Sequence, residues 1–377
     1  MKKIAHIQLL PLLSGVQRVC LDELLRLDSS KYKRFLICKE AGPLTIEAEK
    51  NGIECIFIPS LTRNISFIKD VYSLFCLIKI FKKYQFDIVH THSSKPGILG
   101  RIAARLCSIK FIIHTVHGFS FPIAKNKIQY FIYYFMEKIG SMCGTMLICL
   151  HENDKEIATK ILKIPEKDIV ILENGIDINK YKKVPSNEKN IIKKQYNLSE
   201  SDTVIGMTGR LWPQKNPLLL MNACKDIIIE NPKIHIVYAG DGDLRENIES
   251  FIEKNNLKDN IHLIGWSNNI SEILNMFDIF VLPSIYEGMP LAILEAQSTS
   301  LPCIASNIPG NAHIIENGIT GLLFNSNSQI DLKEKIITLL DNPLLQENIS
   351  ANSRDFILKK HNVDDRINKL CDIYDNH

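Results

Sequence analysis

The sequence contains neither closely spaced cysteine pairs nor a long uncharged hydrophobic run. Its ten cysteines, from Cys20 to Cys371, stand apart and form no C-x-x-C pair, which disfavours a disulfide framework and a cysteine-rich metal site. We therefore expect buried thiols in a reducing compartment. Apolar stretches such as Ile65–Phe81 contain charged residues, so no membrane-spanning helix is expected. The first apolar run, Ile4–Leu13, is interrupted by polar residues and lacks a cleavage site, which favours a β-strand over a signal peptide.

The sequence also lacks the short motifs of several enzyme classes. It has no Walker loop, no HExxH and no serine or cysteine nucleophile motif. The segment Leu10–Arg18 has one glycine, Gly15, where a dinucleotide fingerprint has three, so an NAD site is disfavoured. Gly15 would still allow backbone amides to approach a phosphate or a sugar.

The composition is that of a globular protein with an uneven charge. Of 377 residues, 45% are hydrophobic and 23% are charged, and the formal net charge is +3. These values exclude a disordered chain, a collagen-like repeat and a multi-span membrane protein. Residues 1–180 carry 26 basic and 17 acidic residues, or +9, whereas the remainder carries −6. The first half is therefore expected to meet an anionic partner, although lysine scatter in a Lys/Ile/Asn-rich sequence is an equally good explanation.

Short β-branched runs alternate with longer amphipathic runs, a pattern typical of α/β proteins with parallel sheets. Two such series predict two Rossmann-like, doubly wound domains that face each other across a cleft, with ligands at the carboxyl ends of the strands. We place the first domain at residues 1–180 and the second at 181–362, with a polar linker at Asn174–Ser201. The segment 363–377 is amphipathic and is a candidate to pack back on the first domain.

The most specific motif follows the apolar strand Ile279–Leu282. It reads Glu-Gly-Met-Pro-Leu-Ala-Ile-Leu-Glu, from Glu287 to Glu295. Gly288 and Pro290 are expected to turn the chain into a helix, with Pro290 in its first turn. The free N–H groups and positive dipole end of that helix favour a diphosphate. The two carboxylates can reach different ends of a long ligand and accept hydrogen bonds from a sugar and a ribose.

A second motif, Gly206–Pro217, ends the first strand of the second domain. Arg210 and Lys215 would lie at the carboxyl end of this strand, where ligands of doubly wound sheets bind. The planar guanidinium and the compact ammonium together suit a departing diphosphate. The alternative is a pair of ordinary surface cations.

Two histidine-containing loops end strands of the first domain. His117, before Gly118, would face the cleft, where it could hydrogen-bond a substrate hydroxyl or stabilise developing positive charge through its carbonyl; a lone histidine is more often structural. His90 and His92 end the preceding strand, next to Ser93. A metal site there needs a carboxylate or a third ligand that the sequence does not identify.

A D-x-D pattern, Asp241-Gly-Asp243, matches the spacing associated with metal–nucleotide binding. It lies in a tight turn before a helix, which favours Asp243 as the N-cap of that helix over a metal ligand. No metal site is therefore expected.

Together these motifs resemble glycosyltransferase family 4. The matches are in family order and cover nearly the whole chain: Gly15, His117-Gly118, Asn174-Gly-Ile-Asp177, Gly209-Arg210, Lys215-Asn216, Gly240-Asp-Gly242, Glu287-Gly-Met-Pro-Leu and Glu295-Ala. The segments Asp87–Arg101 and His114–Phe119 further resemble bacterial capsule, exopolysaccharide and O-antigen members. The double glycine that the family has near the first helix is Ser14-Gly15 here.

The resemblance implies a GT-B fold and retaining sugar transfer from a nucleotide-diphosphate sugar, with no cofactor and no essential metal. It implies that Arg210 and Lys215 hold the donor phosphates, that Glu287 binds sugar hydroxyls and that Glu295 binds the ribose. His117 would complete the catalytic set near the donor sugar. Further contacts are implied for the donor at Gly15, Gly209, Gly265, Trp266, Gly288, Met289, Pro290 and Leu291, and for the acceptor at Ser14, His92 and Ser93.

The implied function is transfer of a hexose or N-acetylhexosamine, with a UDP-sugar as the expected donor, to a polyprenyl-diphosphate-linked glycan. Such glycans build O-antigen, capsule and other surface polysaccharides. The expected location is the cytoplasmic face of the inner membrane, as a peripheral protein. The basic segment Ile65–Tyr84 is the preferred lipid-contacting surface, although a helix packed on the sheet explains this segment at least as well. No nucleic-acid partner is expected. Two alternatives remain: a GT-B-fold sugar-nucleotide epimerase, which needs no acceptor, and a catalytically inactive glycan-binding protein.

Overall fold

A computed structural model describes residues 1–376 as two compact units. The first unit contains residues 1–174 and the C-terminal segment that begins at Val363, and the second contains Gly175–Asn362. Both are α/β units built on a parallel sheet, as the alternating sequence pattern predicts.

The first unit has a seven-stranded parallel sheet in the order β3-β2-β1-β4-β5-β6-β7. Its strands are β1 Lys2–Ile7, β2 Tyr32–Cys38, β3 Glu54–Phe57, β4 Ile88–His92, β5 Phe111–Thr115, β6 Met146–Cys149 and β7 Ile169–Ile171. Its helices, numbered along the whole chain, are α1 Gly15–Arg26, α2 Pro43–Lys50, α3 Phe67–Tyr84, α4 Ser94–Leu106, α5 Lys127–Cys143, α6 Glu152–Glu156 and α15 Val363–Asp375.

The second unit has a six-stranded parallel sheet in the order β10-β9-β8-β11-β12-β13. Its strands are β8 Thr203–Thr208, β9 Ile234–Ala239, β10 Ile261–Gly265, β11 Ile279–Leu282, β12 Cys303–Ser306 and β13 Leu322–Phe324. Its helices are α7 Ser186–Gln195, α8 Pro217–Glu230, α9 Arg245–Lys254, α10 Ile270–Met276, α11 Leu291–Ser298, α12 Pro309–Ala312, α13 Gln329–Leu340 and α14 Pro343–Lys360.

Helix α15 packs on the sheet of the first unit. Its apolar face, which includes Leu370 and Tyr374, is buried against strand residues such as Ile4, Ile88 and Ile113. The helix therefore covers the central strands β1, β4 and β5 on the face that also carries α1. This contact assigns the last described segment to the first unit rather than to the second.

The second unit begins earlier than residue 181, the start predicted from the sequence. The Ile176 amide donates to the His361 carbonyl (2.8 Å), and the Tyr181 carbonyl accepts from Ser298 Oγ (2.5 Å) and Arg354 Nη1 (2.8 Å). These bonds tie the segment after Asn174 to the second unit.

The segment Asn174–Ser201 is not a linker without regular structure. It contains helix α7, which buries Ile192 and anchors two lysines on the second unit. Lys189 Nζ lies 2.7 Å and Lys193 Nζ 3.0 Å from the Asp278 carboxylate. The lysines that suggested a solvated linker form a partly buried ion-pair network instead.

Within residues 1–376, no helix is both long enough and apolar enough to span a bilayer. The longest apolar helices, α3 and α5, instead bury one face on the first unit and expose the other.

Candidate active site

In the second unit the predicted donor residues gather where the strands end. Strands β10, β9, β8 and β11 are neighbours in one parallel sheet, so the loops that follow them lie along one edge. Gly209 follows β8, Gly240 follows β9 and Gly265 ends β10. The edge is the ligand-binding position of a doubly wound sheet.

The first two of these glycines pack backbone against backbone. The Gly209 amide donates to the Ala239 carbonyl (2.9 Å), and Gly240 has φ of +150°. A Cβ at Gly240 would lie 1.8 Å from the Gly209 carbonyl oxygen, so no other residue fits without moving the turn. Gly240 also pairs with Gly265, and Trp266 beside it is 47% exposed.

The two charged motifs meet in an ion pair. Lys215 Nζ lies 2.5 Å from Glu287 Oε1, and the two side chains are 19% and 9% exposed. Lys215 ends a short 3-10 turn, Pro213–Lys215, while Glu287 belongs to the loop between β11 and α11. The family resemblance implies separate ligand groups for these residues, phosphate for Lys215 and sugar for Glu287. The structure shows that the two side chains also contact each other.

Arg210 lies on the same strand-end loop as Lys215. Its guanidinium carbon is 4.3 Å from the centre of the Trp212 ring, a cation–π contact that restricts the side chain. Part of the arginine remains exposed. The loop thus presents two cations, one stacked and one ion-paired.

Helix α11 begins one residue later than predicted. Pro290 is the N-cap, with φ of −72° and ψ of 119°, and the helix starts at Leu291. Its first N–H groups have no intrahelical partners, as at any helix start. Gly288, Met289 and Glu295 are buried, so backbone rather than exposed side chains forms this part of the site.

A second loop, which sequence reasoning missed, supports the loop at Glu287. A Cβ on Gly310 would lie 2.2 Å from the Gly288 carbonyl oxygen and 2.5 Å from that of Glu287. Ser306 Oγ donates to the Ser284 carbonyl (2.5 Å), and Asn311 Nδ2 donates to the Ser306 carbonyl (2.9 Å). The signal available in the sequence was the Pro-Gly-Asn run that follows β12.

The prediction that Asp243 caps helix α9 is wrong. The helix begins at Arg245, two residues later. Asp241 rather than Asp243 organises the turn: its Oδ1 accepts from the Gly242 amide (2.8 Å) and its Oδ2 lies 3.3 Å from Arg245 Nη1.

In the first unit, Gly15 begins helix α1 with a positive φ of +25°. No heavy atom lies within 4 Å of a Cβ built on it, so the backbone there is open to a ligand. Ser14 is the N-cap, but its Oγ accepts no capping hydrogen bond from the helix backbone and instead donates to Gln17 Oε1 (3.0 Å). The serine in place of the family's glycine is therefore accommodated by a side-chain contact.

His117 is half-buried, and its Nε2 lies 3.2 Å from His92 Nδ1. Desolvation, with a smaller contribution from the Arg366 guanidinium, lowers the pKa of His117 to about 3. The imidazole is therefore neutral at physiological pH and can accept or donate one hydrogen bond.

The structure corrects the assignment of His92 to the acceptor site. Its side chain is fully buried, and both ring nitrogens face other histidines, His117 on one side and His6 on the other. Helix α1 covers this part of the sheet, so His92 cannot contact an acceptor directly. Ser93 has φ of +63° and is partly exposed at the start of α4.

Comparisons with known proteins agree with this architecture. The family model for Glycosyltransferase Family 4 matches residues 13–180, and the model for Glycosyl transferases group 1 matches residues 188–356. The chain is 46% identical over 376 residues (99% of this chain, 96% of the relative) to the UDP-Gal:alpha-D-GlcNAc-diphosphoundecaprenol alpha-1,3-galactosyltransferase of Escherichia coli. It is 28% identical to the capsular polysaccharide biosynthesis glycosyltransferase CapM of Staphylococcus aureus, over 82% of this chain and 81% of the relative.

Solved structures identify the fold. Anabaena HepE in complex with UDP and glucose superposes with a TM-score of 0.86 at 16% identity, over 100% of both chains. WaaG, a glycosyltransferase involved in lipopolysaccharide biosynthesis, superposes with a TM-score of 0.77 at 16% identity, over 98% of this chain and 99% of that one. With its two parallel-sheet units, the protein has the GT-B fold and belongs to glycosyltransferase family 4, as a glycosyltransferase of bacterial surface-polysaccharide type.

Proposed function

We propose that the protein transfers galactose from UDP-galactose to an N-acetylglucosamine carried on polyprenyl diphosphate, with retention of the anomeric configuration. The donor and acceptor are those in the name of the relative that is 46% identical. The observation that carries the proposal is the Lys215–Glu287 pair at the strand ends of the second unit. The pair places a cation suited to phosphate, Lys215, in contact with a carboxylate suited to sugar hydroxyls, Glu287.

The second unit supplies the donor site. Arg210, Lys215 and the N-terminus of α11 would together neutralise the diphosphate, so we propose that no metal is needed there. Glu287 would accept hydrogen bonds from sugar hydroxyls. Glu295, four residues inside α11, would bind the ribose.

The transfer needs no protein nucleophile. The bond between C1 of the sugar and the β-phosphate oxygen breaks, and a bond between C1 and the acceptor oxygen forms on the same face. The proton of the acceptor hydroxyl moves to the leaving phosphate oxygen. Lys215 and Arg210 stabilise the negative charge that develops on the diphosphate, which is where fixed charges lower the barrier most.

The first unit would serve the acceptor and the reaction centre. Open backbone at Gly15 and partly exposed Ser14 and Ser93 are the groups available for the acceptor. Neutral His117 would accept or donate a hydrogen bond at the sugar without adding charge.

The test combines purified protein, UDP-sugars and a synthetic N-acetylglucosamine-diphosphate lipid. We expect UDP release and a disaccharide product with UDP-galactose, loss of both in Glu287→Ala, and full activity in Lys258→Ala, an exposed lysine of the same unit. Isomerised nucleotide sugar without acceptor would favour the epimerase. Glycan binding without turnover, unchanged in Glu287→Ala, would favour the inactive binding protein.

We also propose that the first unit docks on the membrane that carries the acceptor lipid. Helix α5 exposes a row of apolar side chains in which each residue has another three or four positions away: Ile128, Phe131, Ile132, Phe135, Ile139 and Met142. The start of α3 adds Phe67 and Ile68, 83% and 82% exposed. Both helices pack against α4, and lysines flank the apolar residues. Such a basic amphipathic surface fits an anionic bilayer.

This surface differs in part from the one predicted from the sequence. Lys79, Lys82 and Lys83 are exposed on α3, as that hypothesis needs, but the longer apolar row lies on α5. Co-sedimentation with phosphatidylglycerol vesicles should decrease in a Phe131→Ser/Phe135→Ser variant and not in Leu344→Ser, a comparably exposed leucine of the second unit. Equal binding by all three proteins would contradict the assignment of α5.

A further inference from the structure

A fully buried group of three histidines and one glutamate lies beneath the strand ends of the first unit. His6 from β1, His90 and His92 from β4 and Glu23 from α1 are each 0% exposed. One ligand atom from each lies within 4.8 Å of all the others. No step of the proposed transfer uses His6 or Glu23.

Three of the donor atoms form a compact triangle. Glu23 Oε2 is 3.5 Å from His6 Nδ1 and 3.5 Å from His92 Nε2, and these two nitrogens are 3.1 Å apart. The 3.5 Å separations are too long for N–H···O hydrogen bonds. They match the spacing of about 3.4 Å between nitrogen or oxygen ligands of a tetrahedral zinc ion.

The outer nitrogens of the two rings already have hydrogen-bond partners. His6 Nε2 lies 3.1 Å from the Tyr374 hydroxyl, and His92 Nδ1 lies 3.2 Å from His117 Nε2. A metal-bound histidine uses its second nitrogen in this way, which fixes the ring and directs the lone pair of the first nitrogen.

The carboxylate is held in the same manner. Glu23 Oε1 lies 2.7 Å from Arg366 Nη2 in a buried ion pair, whereas Oε2 has no hydrogen-bond partner. Arg366 therefore balances the glutamate charge from one side and leaves Oε2 directed at the two imidazoles. A buried carboxylate oxygen without a hydrogen bond indicates a missing partner.

Cys20, one turn along α1, lies outside this four-residue group but contacts one of its donor atoms. Cys20 Sγ is 3.6 Å from His6 Nδ1, a spacing of about the size expected between a thiolate and an imidazole on zinc. Cys20 and Glu23 are three residues apart and share a helix face. His90 is not free to serve, since its nitrogens contact Tyr374 (2.6 Å) and Thr115 (2.7 Å).

We propose that His6, His92 and Glu23, with Cys20 as the fourth ligand, bind a single divalent transition-metal ion, zinc by the nature of the donors. The ion is structural, because the site is buried and closed by protein ligands. The bound ion would fix the orientation of His92 and, through the contact between His92 Nδ1 and His117 Nε2, that of His117. The importance of His117 rests on the proposed function.

The competing occupant is a proton shared between His6 Nδ1 and His92 Nε2. Metal analysis distinguishes the two without any activity measurement. Protein purified without chelators should contain about one zinc per chain. After removal of zinc, cobalt(II) should give the visible spectrum of a tetrahedral complex with a cobalt–thiolate charge-transfer band.

Glu23→Gln keeps the shape of the side chain and should weaken cobalt binding by at least 10-fold. Loss of a residue that only hydrogen-bonds to a metal ligand already lowers metal affinity by about 10- to 100-fold. The control is His151→Asn, which removes another buried histidine of the first unit and supplies an amide oxygen to cap α6 in place of His151 Nδ1. Circular dichroism checks the fold of each variant. If Glu23→Gln does not fold, the cobalt spectrum of the native protein decides.

Metal-free native protein that also gives no cobalt spectrum would overturn the proposal in favour of the proton. If folded Glu23→Gln binds the metal as tightly as the native protein, Glu23 is not a ligand and the proposed ligand set is wrong. If the cobalt spectrum lacks the thiolate band, Cys20 is not a ligand. Transferase activity decides none of these outcomes, so failure of the metal site and failure of the proposed function remain distinguishable.

Discussion

The ion pair between Lys215 and Glu287 predicts how substitutions at either position change the affinity for UDP. Its atoms are 2.5 Å apart, and Glu287 is only 9% exposed. Lys215→Ala removes the proposed phosphate ligand and would leave a poorly solvated carboxylate next to the diphosphate. A hydrogen bond to a charged group contributes about 1.5–3 kcal/mol, so the Kd for UDP should rise by roughly 10- to 150-fold.

Glu287→Gln should have the opposite effect on UDP. The lysine is released from its carboxylate, so UDP should bind as tightly as to the native protein or more tightly. Sugar transfer should fall because one of the two accepting oxygens becomes an NH2 donor and the charge on the other is lost. In the double variant Lys215→Ala/Glu287→Gln the carboxylate no longer repels the diphosphate. UDP binding should therefore recover in part, with a coupling energy of about 0.5–3 kcal/mol between the two positions.

Isothermal titration of UDP into the native protein, both single variants and the double variant measures this cycle. Lys258→Ala provides the control for removing an exposed lysine from the same unit. Native UDP affinity in Lys215→Ala would refute the phosphate role. Strictly additive effects in the double variant would refute the coupling through the ion pair.

Three further predictions concern packing and ionisation. Gly310→Ala places a Cβ 2.2 Å from the Gly288 oxygen; it should displace the donor loop and weaken UDP binding, and calorimetry with native affinity would contradict this. Gly206→Ala places a Cβ 2.0 Å from the Phe277 ring and should cost about 1–3 kcal/mol in urea unfolding; an unchanged midpoint is the adverse result. Burial raises the pKa of Asp154 to about 7, above about 4 in the unfolded chain. The native state therefore binds the extra proton, and stability should fall as pH rises from about 4 to about 7. Asp154→Asn should remove that part of the slope of Tm against pH, and parallel curves would argue against it.

The sequence pattern was sufficient for the two parallel sheets and for the strand-end loops that carry the proposed donor site. The β-branched runs and the Glu-Gly-Met-Pro turn are local signals, and the structure puts Lys215 and Glu287 at neighbouring strand ends. Their direct contact could not be predicted, because nothing in the spacing of two motifs 72 residues apart fixes the distance between side chains. Helix α7 was missed for a similar reason: its lysines look solvated until Asp278 is known to lie beside them.

The histidines show a different limit. His92 follows a strand, and strand ends in this fold face ligands, so its assignment to the acceptor was a reasonable expectation. The structure contradicts this assignment because His92 is buried. Helices α1 and α15 cover the histidines and contribute Glu23 and Tyr374. A residue that the chain supplies more than 280 positions later leaves no trace in the local pattern.

The same geometry explains why a metal site was not expected. The sequence offered His90 and His92 without a third ligand, and closely spaced ligands are the usual signal for zinc. In the parallel sheet, β1 lies beside β4 with His6 in register with His90, and α1 returns over both strands. A cysteine and a glutamate one turn apart on that helix then complete a set that comes from three separate elements. Ligands assembled by sheet register rather than by spacing are invisible to a motif search, so the proposed zinc ion has to be sought by metal analysis of the folded chain.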